Sequence, residues 1–359
     1  MPVARSTTPS LLLCGYYGEH NLGDDALLQV LLQDLPRNSS LVITAADSEP
    51  VQALAPKALV INRRSLKATL WAALRTDVLI FGGGSLLQDS TSFKSLIYYV
   101  LLICAARFRG GRVLLWGQGL GPLRRPISRM LVRWVLPLCA AISWRDDASL
   151  ALARRWAKTV PMWMAPDPVW QMPQRNWIGG GEIVVCWRPS PLLDAKGWRL
   201  LLDALDCVSS ELAAPVCWLA FHQHQDAVLM DQLHERELMS PSLLKRSRTV
   251  VPRSIDDVFS RLKTARLVLP MRLHALIIAG LAGSPIAALS YDPKVEAAAS
   301  MAAVPCISLD ALPATDDLIA LWHGAADRGV ASSRIEEIRQ RSAAHAQLLR
   351  DVVGQSIPD

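Results

Sequence analysis

The feature that most limits what this chain can fold into is a repeated alternation. Short, nearly continuous apolar runs are each followed by a longer stretch of helical periodicity. The first series of runs is Leu11–Cys14, Ser40–Thr44, Val78–Phe81, Val113–Trp116 and Ala141–Trp144. The second is Ile183–Trp187, Val216–Phe221, Leu267–Leu269 and Ile286–Ser290. Runs this short, without polar alternation, are expected of strands buried on both faces. Helical patterns lie between them, at Asp24–Leu35, Phe93–Arg107, Ile127–Cys139, Leu200–Leu212, Ile255–Thr264 and His274–Ala282. The alternation predicts an α/β fold with parallel sheets covered by helices.

The segment Ala165–Glu182 holds three prolines and three consecutive glycines and follows no period, which marks a domain boundary. A length of 359 residues agrees with two domains at ~150 residues each. The expectation is two doubly wound, Rossmann-like parallel-sheet domains, residues 1–172 and 173–310, facing one another across a cleft. Helices in 311–359 pack back on the body, among them one long charged helix from Ile335 to Val353. With 51% hydrophobic and 19% charged residues, the chain is not of the disordered class.

Seven cysteines stand at wide spacings, mostly inside apolar runs and with no C-x-x-C. They read as buried free thiols of a reducing cytosol. Only four consecutive apolar residues precede the first glycine-rich loop, so no secretory signal is expected and a cytoplasmic location is. The run Leu96–Ala106 falls short of the ~20 residues that span a bilayer and reads as a buried core helix. The net charge of +6 signals nucleic-acid binding only weakly, since the basic residues are scattered with little aromatic interleaving, and an anionic small substrate or an anionic membrane surface explains it equally well; no nucleic-acid partner is expected. Arg124, Arg125, Arg129 and Arg133 fall near helical spacing beside Ile127, Met130, Leu131 and Trp134. They form either an ordinary solvated face or a basic amphipathic face resting peripherally on the inner surface of the cell membrane.

Open parallel sheets bind ligands beyond the carboxyl ends of their strands, and here nearly every predicted strand ends in glycines, charges or imidazoles. The first series is followed by GYYGEHNLGDD, GGGSLLQD, GQGLGP and RDD. The second is followed by RPS, HQHQD, PMRLHA and YDPK. Gly82, Gly83, Gly84 and Ser85 form either a tight strand–helix turn or a set of amides aimed at an anion at a helix N-terminus. Neither a nicotinamide-type G-x-G-x-x-G nor a G-K-[ST] is present. Arg145, Arg188 and Arg272 follow strands directly, and Lys294 stands four residues beyond Ser290. Each suits a structural ion pair, Arg145 for instance with Asp146 or Asp147. Together they suit a carboxylate- or phosphate-bearing ligand. His274 opens an otherwise apolar helix two residues from Arg272, as either a satisfied core histidine or a proton-transfer group at the ligand edge. His222 and His224 lack a third convincing ligand for a metal.

In order, the segments GYYGEHNLGDDALL, FGGGSLLQDSTS, GQGLGPL, SWRDDASL, DPV, PMRLHALIIAG and SYDPKV resemble the polysaccharide pyruvyltransferase family over Leu11–Val295. The resemblance implies transfer of a pyruvyl group from phosphoenolpyruvate to a sugar of a cell-envelope or lipid-linked saccharide, forming a pyruvate ketal. It also implies a GT-B-like fold and neither metal nor other cofactor. Arg145 and His274 are expected to be catalytic. Arg145, Arg272, His274 and Lys294 are expected to bind phosphoenolpyruvate. The glycine-rich acceptor or phosphate loops comprise Gly15, Gly18, Asn21, Gly23, Asp24, Gly82, Gly83, Gly84, Ser85 and Gln118. Two other functions fit the same architecture. One is a glycosyltransferase using a nucleotide-sugar, for which Glu182 and Asp226 are the only candidate ribose carboxylates. The other is a non-catalytic saccharide- or anion-binding protein.

Overall fold

The computed structural model describes residues 8–354. The first residues of the stretch read for a secretory signal lie outside the described part. The chain forms two compact units. The first comprises the described residues up to His20, Asp24–Gln171 and the residues from Gln340 onward; the second comprises Asn21–Gly23 and Met172–Arg339.

The first unit carries strands β1 (Ser10–Cys14), β2 (Ser40–Ala45), β3 (Leu59–Asn62), β4 (Val78–Gly84), β5 (Arg112–Gln118), β6 (Ala141–Trp144) and β7 (Met162–Met164). They form one all-parallel sheet in the order β3-β2-β1-β4-β5-β6-β7. Its helices are α1 (Leu22–Asp34), α2 (Ser48–Leu54), α3 (Leu66–Ala73), α4 (Phe93–Phe108), α5 (Pro126–Val135) and α6 (Asp147–Trp156). One layer of core joins Leu12, Leu79, Phe81, Val113 and Leu115 of the sheet to Leu96, Leu102 and Ile103 of α4 and Val132 of α5.

The second unit carries β8 (Ile183–Cys186), β9 (Val216–Leu219), β10 (Ser247–Val250), β11 (Leu267–Pro270), β12 (Ala288–Ser290) and β13 (Cys306–Ser308). A four-stranded parallel sheet runs β10-β9-β8-β11, and β12 pairs with β13. A single bridge from Val268 to Ile286 links the two along the same direction. The helices are α7 (Ala195–Glu211), α8 (Gln223–Asp226), α9 (Leu229–Glu235), α10 (Pro241–Arg246), α11 (Ile255–Leu262), α12 (Leu273–Leu281), α13 (Pro293–Ala302), α14 (Thr315–Ala325) and α15 (Ser332–Ser342). The final helix, α16 (Ala344–Gly354), belongs to the first unit. The fold is α/β with two doubly wound parallel sheets, as the alternation predicts. Each sheet has a point where strand order reverses, at β1/β4 and at β8/β11.

Three expectations need correction. The long helix predicted from Ile335 to Val353 is two helices, because its halves bury different things. Ile335 and Ile338 are buried ahead of the break, and beyond it α16 sets Leu348, Leu349, Val352 and Val353 into the first unit, where it packs on β5 and β6. Ser342 at the break donates its hydroxyl to the Asp167 carbonyl at 3.1 Å. The run Leu96–Ala106 is helical but not buried all round: Ile97 and Leu101 are exposed. The cysteines are free, but only Cys14, Cys139, Cys186 and Cys217 are buried, whereas Cys104 is exposed.

Candidate functional site

In a doubly wound sheet the crevice for a ligand opens where strand order reverses, beyond the carboxyl ends. In the second unit that position lies between β8 and β11. β8 delivers Arg188; β11 delivers Arg272, which caps α12, and His274 in its first turn. β9 ends in His222 and the short α8, and β12 leads to Tyr291 and Lys294. Every strand here is parallel, so all these residues gather on one sheet edge.

The cations on this edge are held by specific partners. Arg272 grips Asp226 through two guanidinium nitrogens, with Nε donating to Oδ2 at 2.6 Å, and its side chain and that of Asp226 are 11% and 2% exposed. Asp226 Oδ2 also accepts the amides of Phe221 at 3.1 Å and His222 at 2.8 Å. The pair thus pins the end of β9 to the start of α12. Arg188 lies over the Tyr291 ring, 4.8 Å from its centroid, and donates to the phenol oxygen at 3.2 Å. Lys294 is half-exposed and meets Asp292 at 2.9 Å, while Asp292 caps α13 by accepting the Lys294 amide. His222 has a fixed place at the end of β9. Its amide is held by Asp226, and its backbone bridges to Asn21. Burial, and then the charge of Arg272, hold its imidazole below the ordinary histidine value.

The residues Asn21–Gly23 belong to this second unit. The Leu22 amide donates to the Phe221 carbonyl at 2.9 Å. The Gly23 backbone lies flat against His274: a Cβ added there would come 2.1 Å from Nδ1. Only glycine allows that approach, so Gly23 fixes how closely the backbone lies to the imidazole.

On the first unit, Gly15, Asp24, Gly84 and Ser85 lie near the switch point between β1 and β4, whereas Gly18 packs against Asp47 beyond β2. The predicted glycine turn is not a turn at the start of a helix. β4 continues through Gly84, pairing Gly82 with Trp116 and Gly84 with Gln118 of β5, and the next helix begins only at Phe93. Packing explains two of the three glycines. A Cβ on Gly82 would strike the Tyr17 hydroxyl at 2.1 Å, and one on Gly83 would meet Leu27 at 2.6 Å. Gly84, at φ +88°, faces open space, with Asp24 Oδ1 the nearest atom at 3.9 Å from such a Cβ. Gly15 is likewise closed off by the Tyr17 ring, and Gly18 by the backbone of Asp47. Gln118 is buried and committed to the chain: its amide donates to the Gly83 carbonyl at 2.8 Å, and its oxygen accepts the Leu86 amide. Gln118 therefore fixes the strand end rather than offering itself to a ligand.

Arg145 pairs with neither neighbouring aspartate. Asp146 caps α6, accepting the Ser149 amide at 2.7 Å. Arg145 reaches Asp167 of the DPV segment at 2.9 Å, with both side chains under 10% exposed (7% and 5%), and donates to Ser85 at 3.2 Å. Ser85 is thus its partner at the switch point.

Asp25 went unnoticed in the sequence. Burial, and then the charge of Asp24, push its carboxyl up to about 7. A raised acid pKa means that its contribution to stability is present below about pH 4, the unfolded value, and is lost as pH rises through about 7. Asp25→Asn should therefore melt several degrees above the parent in mildly alkaline buffer and converge with it in acid. Parallel melting curves at both pH values would contradict the assignment.

Among the described residues no group of three or more His, Cys, Asp and Glu is placed to hold a metal ion. Glu182 is paired with Arg248 at 2.8 Å and lies near Arg261. Both carboxylates considered for a nucleotide ribose, Glu182 and Asp226, are therefore already engaged.

A family model described as polysaccharide pyruvyl transferase matches residues 21–293. No curated protein matches the sequence. Among solved structures, a putative UDP-N-acetylglucosamine 2-epimerase from Listeria monocytogenes is similar at TM-score 0.66 and 11% identity, covering 97% of this chain and 96% of its own. Anabaena Alr3699/HepE, solved with UDP and glucose, is similar at TM-score 0.58 and 13% identity, covering 97% and 98%. The glycotransferase of kitacinnamycin gives TM-score 0.56 and 12% identity over 98% and 100%. These likenesses bear on the fold, which is GT-B-like.

Proposed function

Since the chain belongs to the polysaccharide pyruvyl transferase family, we propose that it takes its pyruvyl group from phosphoenolpyruvate and sets it as a ketal across two hydroxyls of one sugar. The observation that carries this reading is the gathering of Arg188, Arg272, His274 and Lys294 on one carboxyl edge, at a topological switch point. Phosphoenolpyruvate carries a carboxylate and a phosphate. Guanidinium forks and a lysine are the side chains that match such a ligand.

The enol methylene gains a proton and becomes a methyl group, leaving an oxocarbenium-like carbon. A sugar hydroxyl adds to that carbon and gives up its proton. The carbon–oxygen bond to phosphate breaks, and a second hydroxyl of the same sugar closes the ketal as its proton passes to phosphate. His274 is the group we assign to move these protons, since imidazole exchanges protons near neutral pH. Fixed cations around the departing phosphate stabilise the charge that develops there.

The family resemblance assigns Arg145 to phosphoenolpyruvate binding, and within its own unit its guanidinium reaches Asp167 and Ser85. Arg145→Lys keeps the charge but loses the fork that reaches Asp167 and Ser85 together. The expected outcome is a raised KM for phosphoenolpyruvate with kcat little changed; unaltered donor saturation would remove Arg145 from donor binding.

The reaction itself is tested by incubating the protein with phosphoenolpyruvate and a panel of nitrophenyl- or lipid-linked sugars while following inorganic phosphate. Phosphate release that requires a sugar, with a mass gain of one pyruvyl ketal, supports the reading. Transfer from nucleotide-sugars instead, or no turnover with any member of the panel, counts against it.

A further inference from the structure

The helix α4 packs between α3 and α5 in the first unit. One face of it is built into the core, through Leu96, Leu102, Ile103 and Ala106. The other presents Ile97, Leu101, Cys104 and Phe108, which recur at the spacing of a single helical stripe. All four are exposed, Phe108 by 84%. On α5 the same division recurs: Val132 and Val135 are buried, while Ile127, Met130 and Trp134 are exposed, Trp134 by 66%. Trp71 on α3 is exposed too, with the Arg75 guanidinium 3.7 Å from its ring centroid. The outward side of a surface helix is ordinarily polar, and contiguous exposed apolar side chains mark an interaction surface.

The charges on these helices are all of one sign. α3, α4 and α5 contain no Asp or Glu; their charged residues are Lys67, Lys94, Arg107, Arg129 and Arg133, all exposed. We propose that this face docks on an anionic lipid bilayer, with the apolar stripes dipping into the boundary between headgroups and acyl chains and the cations reaching lipid phosphates. Trp and Phe beside Lys and Arg are the side chains that suit that boundary. A second copy of the chain would bring the same cations against this face, so like charges oppose self-association there. No helix among the described residues is long and apolar enough to cross a membrane, so the contact is with the bilayer surface.

The test uses the full chain in vesicle flotation, with phosphatidylcholine alone and with phosphatidylcholine mixed with phosphatidylglycerol. The chain is expected to float with the anionic vesicles and not with the neutral ones. The Arg129→Gln/Arg133→Gln pair should weaken partitioning on the order of thirtyfold, from about 1 kcal/mol for each cation near the surface. The Phe108→Asp/Trp134→Asp pair should abolish it. These positions are exposed and outside both switch points, so melting and phosphate release with a water-soluble acceptor should not change. Failure here is thereby separable from failure of the proposed reaction. No flotation with anionic vesicles, equal flotation with both kinds, or unaltered binding by the Asp pair would overturn the proposal. So would lipid-free dimerisation of the chain that the Asp pair abolishes, since a second copy would then be the occupant.

Discussion

His274→Ala is expected to lower turnover by roughly 10²–10⁴-fold, the usual worth of a positioned acid–base group, while the melting temperature changes little. The side chain is half-buried in the first turn of α12, so truncating it removes no core anchor. The role also makes a second, independent prediction through Gly23. A methyl group there would sit 2.1 Å from Nδ1, so Gly23→Ala must push the imidazole aside. Turnover should drop in that variant although every proton-transfer group is still present. Near-normal turnover in His274→Ala would take the histidine out of the mechanism. Normal turnover in Gly23→Ala alone would show that its position is not critical.

The second large effect is on stability. Asp226 lies 2% exposed against Arg272 and accepts two backbone amides in addition. Asp226→Ala leaves a buried guanidinium without its counter-charge and two amides without their acceptor. Breaking such a pair from one side costs about 3–5 kcal/mol, measurable by denaturant unfolding of the second unit. Replacing both partners, as in Asp226→Leu/Arg272→Met, should recover much of that loss, because an apolar pair needs no mutual neutralisation. Donor binding should not return with it, since Arg272 is assigned to the anion. If the double variant regained both stability and donor saturation, Arg272 would be only structural. If Asp226→Ala cost less than ~1 kcal/mol, the pair would be behaving as a solvent-screened surface contact.

The central strands, and hence the residues that stand at their carboxyl ends, were legible because strands buried on both faces must be apolar throughout. The strands that escaped notice, β3, β7, β10 and β13, are all outermost in their sheets. An edge strand is paired on one side only and need not be continuously apolar, so a segment such as SRTV leaves no signal. Arg145 and Arg272 were visible as cations at strand ends, but their partners were not. Asp167 and Asp226 stand 22 and 46 residues away, and only the folded sheet brings them near. The glycines that end β4 read differently once folded. A run of three suggests an anion cradle, yet Tyr17 and Leu27 already fill the space at two of them. Asp25 was legible only as the second of two adjacent acids, since the larger cause of the shift in its carboxyl, burial, comes from the fold, and only the smaller one, Asp24, from its neighbour in the first turn of α1.

The fate of one carbon atom separates ketal formation from every rival reaction on the same scaffold. Phosphoenolpyruvate isotopically labelled at its central carbon, incubated with the protein and an accepted sugar, should yield a labelled quaternary carbon bonded to two oxygens of that sugar, with one inorganic phosphate released for each. Label that stays in the donor or emerges as free pyruvate, while a nucleotide-linked sugar is transferred to the same acceptor, would contradict it.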